Sequence, residues 1–293
     1  MNTTTYPSPV DKLLTIGEPD PAQPQDWLNY LELGLGPEHI PDLLRMLTDN
    51  DLFDPELLKE GAEKPEGWAP HHAMRALGQL RDVAAVEPLL SQSDRLLDYD
   101  EGLGEWGVEE LPEVFGLIGP AAIPALTAYI ADKSHGVDSR INASTGLEKI
   151  AEMHPEAREE SVTALTRQLE SAQENDPRLN SFIIDNLINL KAVEAAPVIE
   201  RAFATNSVDM DIVGDWDDVQ AALGLKPPKE RPPTPTLDTF FQSSTPESVT
   251  TPSSSPSSSP STILHTTAHK RVTAQKTKHK MAKQSRKKNR RRK

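Results

Sequence analysis

The stretch "HAMRALGQLRDVAAVEPLL", residues 72–90, carries the pattern that decides the fold. Its large apolar residues recur at intervals of three and four positions, beginning with Leu77 and Leu80. The second half continues the spacing with Val83, Val86 and Leu90. Such intervals place side chains on one face of a helix, whereas a half-buried strand would alternate apolar and polar residues. The stretch therefore predicts a pair of short helices.

The same signature returns along the chain at a nearly constant interval. A shift of 38 residues aligns four pairs, which are Trp68 with Trp106, Leu77 with Phe115, Gly78 with Gly116, and Leu80 with Ile118. The two apolar positions occur again as Leu147 with Ile150 and as Leu187 with Leu190. A helical pair that repeats every 32 to 40 residues predicts an α-solenoid, in which each unit buries its apolar face by stacking on its neighbours.

The predicted fold class is all-α, a short α-solenoid of helical pairs. We expect these pairs at about 24–48, 67–92, 105–132, 137–173 and 176–206. The boundaries Gly119-Pro120 and His154-Pro155 support the assignment, because proline at the first helical position loses no hydrogen bond. The segment "NDPRLNSFIIDNL" begins with an Asn/Asp cap signal.

Three segments resemble HEAT-like repeats of the phycobilisome-lyase type, namely "RALGQLRDVAAVEPLL", "EVFGLIGPAAIPALTAYI" and "NLKAVEAAPVIERAF". The wider run from "SPVDKLLTIGEP" through "LGLGPEHIPDLLRML" to "GDWDDVQAALGL" is similar to a bacterial family of HEAT-repeat proteins with no assigned function. The resemblance implies a HEAT-like α-solenoid over residues 1–226. It implies no catalytic residue, and similarity of a repeat does not transfer chemistry.

Composition narrows the classes of function. The chain of 293 residues contains no cysteine, which excludes disulfides, thiolate metal sites and a cysteine nucleophile. A chain without cysteine is compatible with a reducing compartment. The first residues lack the basic and apolar regions of a signal peptide, and no window approaches 18 uninterrupted apolar residues. We therefore expect a cytoplasmic protein without a membrane partner.

The net charge of −14 divides unevenly along the chain. Residues 1–226 hold 16 Lys and Arg against 42 Asp and Glu, a net charge of −26. Residues 227–263 are rich in Pro, Ser and Thr, and we predict a disordered linker there, since little apolar surface offsets the entropy of ordering. Residues 264–293 hold 13 Lys and Arg and no acid, and form a polybasic tail.

The tail is the predicted polyanion-binding segment. Its cations are densest in the last sixteen residues, at Lys278, Lys280, Lys283, Arg286, Lys287, Lys288, Arg290, Arg291, Arg292 and Lys293. Such a segment neutralises phosphates without sequence preference, because it has no aromatic side chain to stack on bases. RNA or another polyanion is the predicted ligand. A solubilising role and docking on the chain's own acidic body stay open as alternatives.

An acidic group at 209–218 raises the question of a metal site. A calcium loop that started at Asp209 would have Val213 at its fifth position and Gln220 at its twelfth, so two ligands are missing. Helix capping by Asp215 explains the pattern better, with acids in the first helical turn. We predict that Trp216, Val219, Ala222 and Leu223 form an apolar face that closes the last repeat.

Two other motifs suggest chemistry that their context does not support. "GLGEWG", residues 102–107, matches the Gly-rich phosphate fingerprint, but "SDRLLDYDE" before it has no strand character. We predict a flexible loop between repeats. His71 and His72 are adjacent, so on a helix they point about 100° apart and do not face one ion. We expect them on a partly exposed turn at a helix start.

Two groups of side chains are predicted to be structural. Glu109, Glu110 and Glu113 are expected to be solvated charges near the start of a helix. Trp27, Trp68 and Trp106 each lie near the start of a repeat, and we expect them to pack between repeats rather than to form a ligand cage.

The leading hypothesis is a non-enzymatic scaffold whose solenoid face binds a protein partner that the sequence does not identify. No complete catalytic motif is present, and no cofactor or metal is predicted. An alternative is an RNA- or ribosome-associated protein that acts through the tail. A third hypothesis is an enzyme or assembly factor related to bilin attachment, which depends on the repeat type alone.

Overall fold

The computed structural model describes residues 5–19, 23–53, 64–98 and 103–227. The polybasic tail and the predicted linker, apart from Pro227, lie outside these residues. All regular structure in the described part of the chain is helical. Its α-helices are α1 Ile40–Thr48, α2 Ala69–Leu80, α3 Val86–Ser91, α4 Ser93–Leu96, α5 Glu105–Ile118, α6 Ile123–Ala131, α7 Val137–Met153, α8 Arg158–Glu170, α9 Pro177–Asn189, α10 Ala196–Ala204, α11 Met210–Val213 and α12 Trp216–Ala222.

The helices stack in two layers. Helices α2, α5, α7 and α9 pack against one another in chain order and form the inner layer. Helices α3, α6, α8 and α10 follow them in the same order and form the outer layer. Each inner helix and the outer helix after it make one helical pair, so the predicted all-α solenoid is confirmed. Four of the five expected pairs lie within a few residues of their predicted bounds.

The repeated apolar positions form the seam between successive pairs. Leu77, Phe115, Leu147 and Leu187 are all fully buried in one continuous core. Burial of each large apolar side chain contributes roughly 1.5 to 3 kcal/mol to folding. The apolar residues that recur in the sequence are therefore the ones that lie in the core between successive helical pairs.

Glycine follows this apolar position in two of the pairs, and helices approach closely there. A Cβ atom on Gly78 would lie 3.2 Å from the Val114 Cα of α5. A Cβ atom on Gly116 would lie 3.0 Å from the Lys149 Cβ of α7. Both distances are tighter than ordinary side-chain contacts, so a larger residue would force the two helices apart.

Prolines begin the second helix of several pairs, as the sequence predicts. Gly119 has a φ of +89°, and a 3-10 turn starts at Pro120 before α6. Pro155 starts the corresponding turn before α8. Asp176 caps α9 by accepting a hydrogen bond from the Arg178 backbone N–H. These residues end one helix and orient the next.

Helices α5 and α6 illustrate how sharp the turn within a pair is. The segments Trp106–Ile118 and Pro120–Ala131 meet at an angle of 109°. Among the described residues, no single helix has the length and apolar character required to cross a bilayer. By length and composition, only the two segments taken together reach that requirement, and they form a bent pair.

The first predicted pair, 24–48, is only half α-helical. Before α1 the chain forms short 3-10 helices at Pro24–Asp26, Tyr30–Leu33 and Pro37–His39. Gly34 has a φ of +93°, and proline starts two of the three turns, so no α-helix continues through the segment. Tyr30 is nevertheless fully buried, and the segment packs against α2.

The seam residues provide a test of the repeat register. The shift of 38 residues aligns Leu80 with Ile118, but Ile118 is buried and Leu80 is only partly buried. We expect Ile118→Ala to lower the free energy of unfolding by about 2 to 3 kcal/mol, and Leu80→Ala by about half as much. Urea unfolding followed by circular dichroism measures both. A larger loss for Leu80 would mean that the register is misassigned.

Candidate functional site

A buried ion network joins α2 to α5. Arg75 donates two hydrogen bonds to the Glu110 carboxylate, from Nε to Oε2 over 2.8 Å and from Nη2 to Oε1 over 2.7 Å. His71 Nε2 lies 2.6 Å from the same Oε2. All three side chains are at least nine-tenths buried. Because a bidentate Arg and carboxylate pair has a fixed geometry, it sets the position of α5 against α2.

The protonation states follow from the surroundings. Burial alone would raise the pKa of Glu110, but the hydrogen bonds from Arg75 and His71 outweigh it, and the pKa lies below its ordinary value. Burial lowers the pKa of His71, so its ring is neutral. A carboxylate only accepts hydrogen bonds, so His71 Nε2 carries the proton. His71 Nδ1 is then a buried acceptor without a hydrogen-bond partner.

A second arm of the network holds the N-terminal segment. The His72 Nε2–H donates to the Gly17 carbonyl over 2.8 Å, and His72 Nδ1 accepts from the Tyr30 hydroxyl over 2.7 Å. Burial lowers the pKa of His72 to about 4, so the ring is neutral at physiological pH. The Arg75 guanidinium also lies 4.8 Å from the centre of the Trp27 ring. The network thus links segments far apart in sequence.

These positions correct two predictions. His71 and His72 do start a helix, but both are buried rather than partly exposed. Of the three glutamates expected to be solvated, Glu109 is exposed, whereas Glu110 is buried in the network. The predictions failed because charged side chains are usually exposed, and a sequence does not show when a partner on another helix allows one to be buried.

The tryptophans take the structural role that was predicted for them. Trp27 is buried against Arg75. Trp68 and Trp106 meet edge to face, with ring centres 6.2 Å apart, and the Trp106 ring lies 4.6 Å from that of His71. Aromatic pairs in this arrangement stabilise a contact by about 0.5 to 1.5 kcal/mol. The three rings pack where the first repeats meet.

Residues 103–107 of the Gly-rich motif lie between α4 and α5 and in the start of α5, and Gly102 lies outside the described residues. Helix α4 precedes the motif, and no strand is present in the described part of the chain. The expected loop is also shorter than predicted, because α5 already begins at Glu105. A Cβ atom on Gly107 would overlap the Leu96 carbonyl oxygen, so this glycine is required for packing.

The acidic group at 209–218 caps helices, as the sequence predicts. Asp209 accepts a hydrogen bond from the Asp211 backbone N–H at the start of α11. Asp215 and Asp218 form a reciprocal capping box at the start of α12. Within the described ranges, no three His, Asp or Glu side chains are arranged to hold a metal ion.

The apolar face predicted for α12 is present with one exception. Val219 and Leu223 are buried, and the Trp216 ring lies 5.9 Å from that of Phe203. Ala222 is exposed, contrary to the prediction. A helix of seven residues covers the preceding pair with a narrow stripe only, and Ala222 lies outside that stripe.

A second group of charged residues, which we call the carboxylate cluster, lies across three inner helices. Its members are Glu113 of α5, Glu148, Lys149 and Glu152 of α7, and Asp185 of α9. Lys149 Nζ lies 3.2 Å from Glu113 Oε1 and 2.8 Å from Glu152 Oε2. Lys149 is thus the cation of Glu113 and Glu152, and Asp185 acts through its charge on Glu148. Glu152 is exposed, and Lys149 is about one quarter exposed, so the cluster opens to solvent.

Glu148 is the buried member of this cluster. It is 5% exposed, and its Oε1 accepts a hydrogen bond from the Asn189 side chain over 3.0 Å. Burial, reinforced by the charges of Glu152 and Asp185 against that of Lys149, raises the pKa of Glu148 to about 8. Burial also raises the pKa of Glu113. At neutral pH the Glu148 side chain is therefore mostly protonated.

The repeat register shows how unusual this position is. Glu148 follows Leu147 as Gly78 follows Leu77 and Gly116 follows Phe115. Two repeats have glycine at this site of close helix approach, and the third has a carboxyl group. Sequence analysis missed the cluster because it treated Glu113 as a solvated charge and did not compare the residues after the seam positions. The register itself would have shown Glu148 as the exception.

The predicted polyanion-binding residues, Lys278 to Lys293, lie outside the described residues. The carboxylate cluster is therefore the candidate site of the described body. It presents negative charge from three successive repeats on the side chains of rigid helices. Such a surface binds ammonium and guanidinium groups by direct ion pairs.

Comparison with known proteins gives one match. Residues 69–93, which span α2 and α3, match the family model of the PBS lyase HEAT-like repeat. No curated protein and no solved structure matches the chain. The matched segment contains the stretch that predicts the fold, and it includes Arg75 and Gly78 at the first repeat interface. The chain is therefore a helical repeat protein that contains a HEAT-like repeat.

Proposed function

We propose that the protein is a non-enzymatic interaction scaffold that binds a Lys- or Arg-rich segment of a partner protein on the carboxylate cluster. The observation that carries the proposal is the placement of carboxyl groups on three successive inner helices, with Lys149 paired to Glu113 and Glu152 and with Asp185 near Glu148. Inner layers of stacked repeats offer extended surfaces of this kind.

The charge of the body supports a basic partner. Residues 1–226 have a net charge of −26, so the field around them attracts cations and repels nucleic acid. Charge complementarity of this type sets which partners are encountered and how fast. The cluster adds a local excess of carboxylates to this general field, and a basic segment would bind there in preference to other acidic surfaces.

A peptide titration tests the proposal. The protein used is the full chain in which the ten named tail cations are replaced by glutamine, so that the tail does not compete. A fluorescent nine-residue arginine peptide is the probe. We expect the triple variant Glu113→Gln, Glu152→Gln and Asp185→Asn to bind it at least about tenfold more weakly, since three partly exposed ion pairs contribute roughly 0.5 kcal/mol or more each.

A matched control keeps the net charge equal. Glu159, Glu160 and Glu170 are exposed on α8 of the outer layer, and their replacement by glutamine also removes three carboxylates. We expect this control to bind the peptide nearly as well as the parent chain. Equal weakening in the two triple variants would show that only the overall charge matters, and the proposed site would then be wrong.

The pH gives an independent readout. As the pH rises from 7 to 9, Glu148 loses its proton, because its folded pKa of about 8 lies within this range. The cluster gains negative charge, and the arginine peptide should bind about fivefold to tenfold more tightly. In Glu148→Gln this gain should disappear, because glutamine does not titrate. A parent chain with constant affinity would contradict a role for Glu148.

The basic tail supports a second candidate function, binding of RNA. Ten cations and no acid lie in its last sixteen residues. If six of these cations contact single-stranded RNA, the logarithm of the binding constant should fall against the logarithm of salt concentration with a slope of about −4. Fluorescence anisotropy with an unstructured RNA measures this slope. If the RNA does not bind the intact chain at low salt but binds an isolated tail peptide, the tail is occupied by the acidic body.

A further inference from the structure

We propose that acid releases the N-terminal strap from α2, with His72 as the group that responds to pH. The strap is defined as the described residues 5–19 and 23–33, which precede α1. It forms short 3-10 turns at Val10–Thr15, Pro24–Asp26 and Tyr30–Leu33. Its release uncovers one side of the first helical pair. The proposal goes beyond the proposed function, because it involves neither the carboxylate cluster nor the basic tail.

The strap covers the first inner helix of the stack. Every residue of α2 from Ala69 to Gly78 is buried, and both the strap and α1 pack against this helix. The strap side chains Val10, Leu13 and Tyr30 are fully buried in the same core. The end of a stacked array needs a cover for its apolar face. The strap supplies that cover, and its removal exposes apolar surface at this end of the solenoid.

His72 joins both parts of the strap to α2. Its ring is only 2% exposed. The Nε2–H donates to the Gly17 carbonyl over 2.8 Å, in the first part of the strap. Nδ1 accepts from the Tyr30 hydroxyl over 2.7 Å, in the second part. Gln79, two turns further along α2, holds only the second part, by hydrogen bonds to the Leu28 carbonyl and the Tyr30 backbone N–H.

A second proton on His72 breaks this arrangement. The neutral ring accepts a hydrogen bond at Nδ1, whereas the imidazolium ion donates from both nitrogens. Burial raises the pKa of Tyr30, so its hydroxyl keeps its proton. That proton then has no acceptor at Nδ1, and a buried donor without an acceptor retains the cost of its desolvation. Release of the strap lets water hydrate both groups.

The groups around His72 do not compensate for the added charge. Burial is the main cause that lowers the pKa of His72 to about 4, and Arg75 and His71 on α2 lower it further. The Gly17 carbonyl and Glu110 of α5 act in the opposite direction. The Glu110 carboxylate, however, already accepts hydrogen bonds from Arg75 and His71. Closed strap and charged His72 are therefore incompatible.

The direction of the pH effect follows from these contacts. The pKa of His72 is about 4 under the closed strap and has its ordinary value of 6.5 in water. The contribution of His72 to closure is therefore complete above about pH 6.5 and is lost as the pH falls toward 4. Between pH 7 and pH 5, the ratio of released to closed strap should rise about tenfold to twentyfold.

Thiol labelling of the full chain tests the proposal. The sequence contains no cysteine, so Val10→Cys introduces a single probe in the buried part of the strap. Val162→Cys introduces a matched buried probe in α8. Dithiodipyridine reacts with thiols in mild acid, and each rate is divided by that of an unfolded peptide with the same cysteine at the same pH. From pH 7 to pH 5 we expect this ratio to rise about tenfold to twentyfold in Val10→Cys and less than about threefold in Val162→Cys.

Replacement of His72 assigns the effect to its ring. Glutamine does not titrate in this range, so His72→Gln in the Val10→Cys chain should reduce the rise between pH 7 and pH 5 to less than about threefold. His72→Asn is the second variant, and circular dichroism shows whether each is folded. The comparison of the two thiol probes uses chains that retain His72, so it decides the proposal even if both variants unfold.

Three results would overturn acid release of the strap. Constant labelling of Val10→Cys would show that the strap stays closed. An equal rise in Val10→Cys and Val162→Cys would show that acid unfolds the whole body. An undiminished rise in a folded His72→Gln or His72→Asn chain would show that another group responds to pH.

Discussion

Replacing Glu110 by alanine is expected to lower the free energy of unfolding by about 3 to 5 kcal/mol. The change leaves the Arg75 guanidinium buried without its bidentate partner and removes the acceptor of the His71 Nε2 proton. A buried charge that loses its partner retains the full cost of its desolvation. Urea unfolding of the full chain, followed by circular dichroism, measures the loss.

The neighbouring residue provides the control for this prediction. Glu109 is exposed on the same turn of α5, and Glu109→Ala should change the free energy of unfolding by no more than about 0.5 kcal/mol. A double variant, Arg75→Met with Glu110→Leu, should lose less than Glu110→Ala alone, because it leaves no uncompensated charge. Equal effects of the two single glutamate variants would mean that the buried ion network contributes little to stability.

The second large effect concerns Glu148 and depends on pH. In the unfolded chain its pKa has the ordinary value of 4.5, and in the folded chain burial raises it to about 8. Between these values the folded state binds the proton that the unfolded state has released, so stability falls as the pH rises from about 5 to 8. Glu148→Gln removes this loss. Above pH 8 the variant should be more stable than the parent by up to about 4 kcal/mol.

Unfolding measured at pH 5, 7 and 8.5 distinguishes this outcome from a simple change in packing. A packing change would alter the stability of Glu148→Gln by the same amount at every pH. The predicted change grows with pH and is small near pH 5. Glu159→Gln on the exposed side of α8 serves as the control and should follow the parent at all three values. A parallel curve for Glu148→Gln would mean that its carboxyl group is not protonated in the folded state.

The sequence predicted the regular part of the fold because the helices from α2 to α10 repeat one local pattern. Leu77, Phe115 and Leu147 stand at the same place in successive pairs, and each is fully buried. The segment 24–39 departs from this pattern. Its apolar residues are spaced as in a helix, but prolines and Gly34 break it into 3-10 turns, and burial of Tyr30 depends on tertiary contacts with α2.

The sites were harder to predict, since each depends on pairing between helices. Arg75 and Glu110 are 35 positions apart, and nothing within either helix shows that they meet. The burial of Glu148 depends likewise on the distance between α7 and α9, which no local propensity determines.

The buried ion network has a consequence for the order in which the chain folds during synthesis. In an ideal array each repeat is stable with its immediate neighbour, and the first repeats can fold as soon as they leave the ribosome. Here a nascent chain that has emerged only as far as α3 contains Arg75 and His71 but lacks Glu110. Its first repeat has the Arg75 charge and the polar His71 ring, which the finished protein buries and which still require water. Stable folding of the N-terminal half should therefore wait until α5 has been translated, and the growing chain would stay sensitive to proteases up to that length.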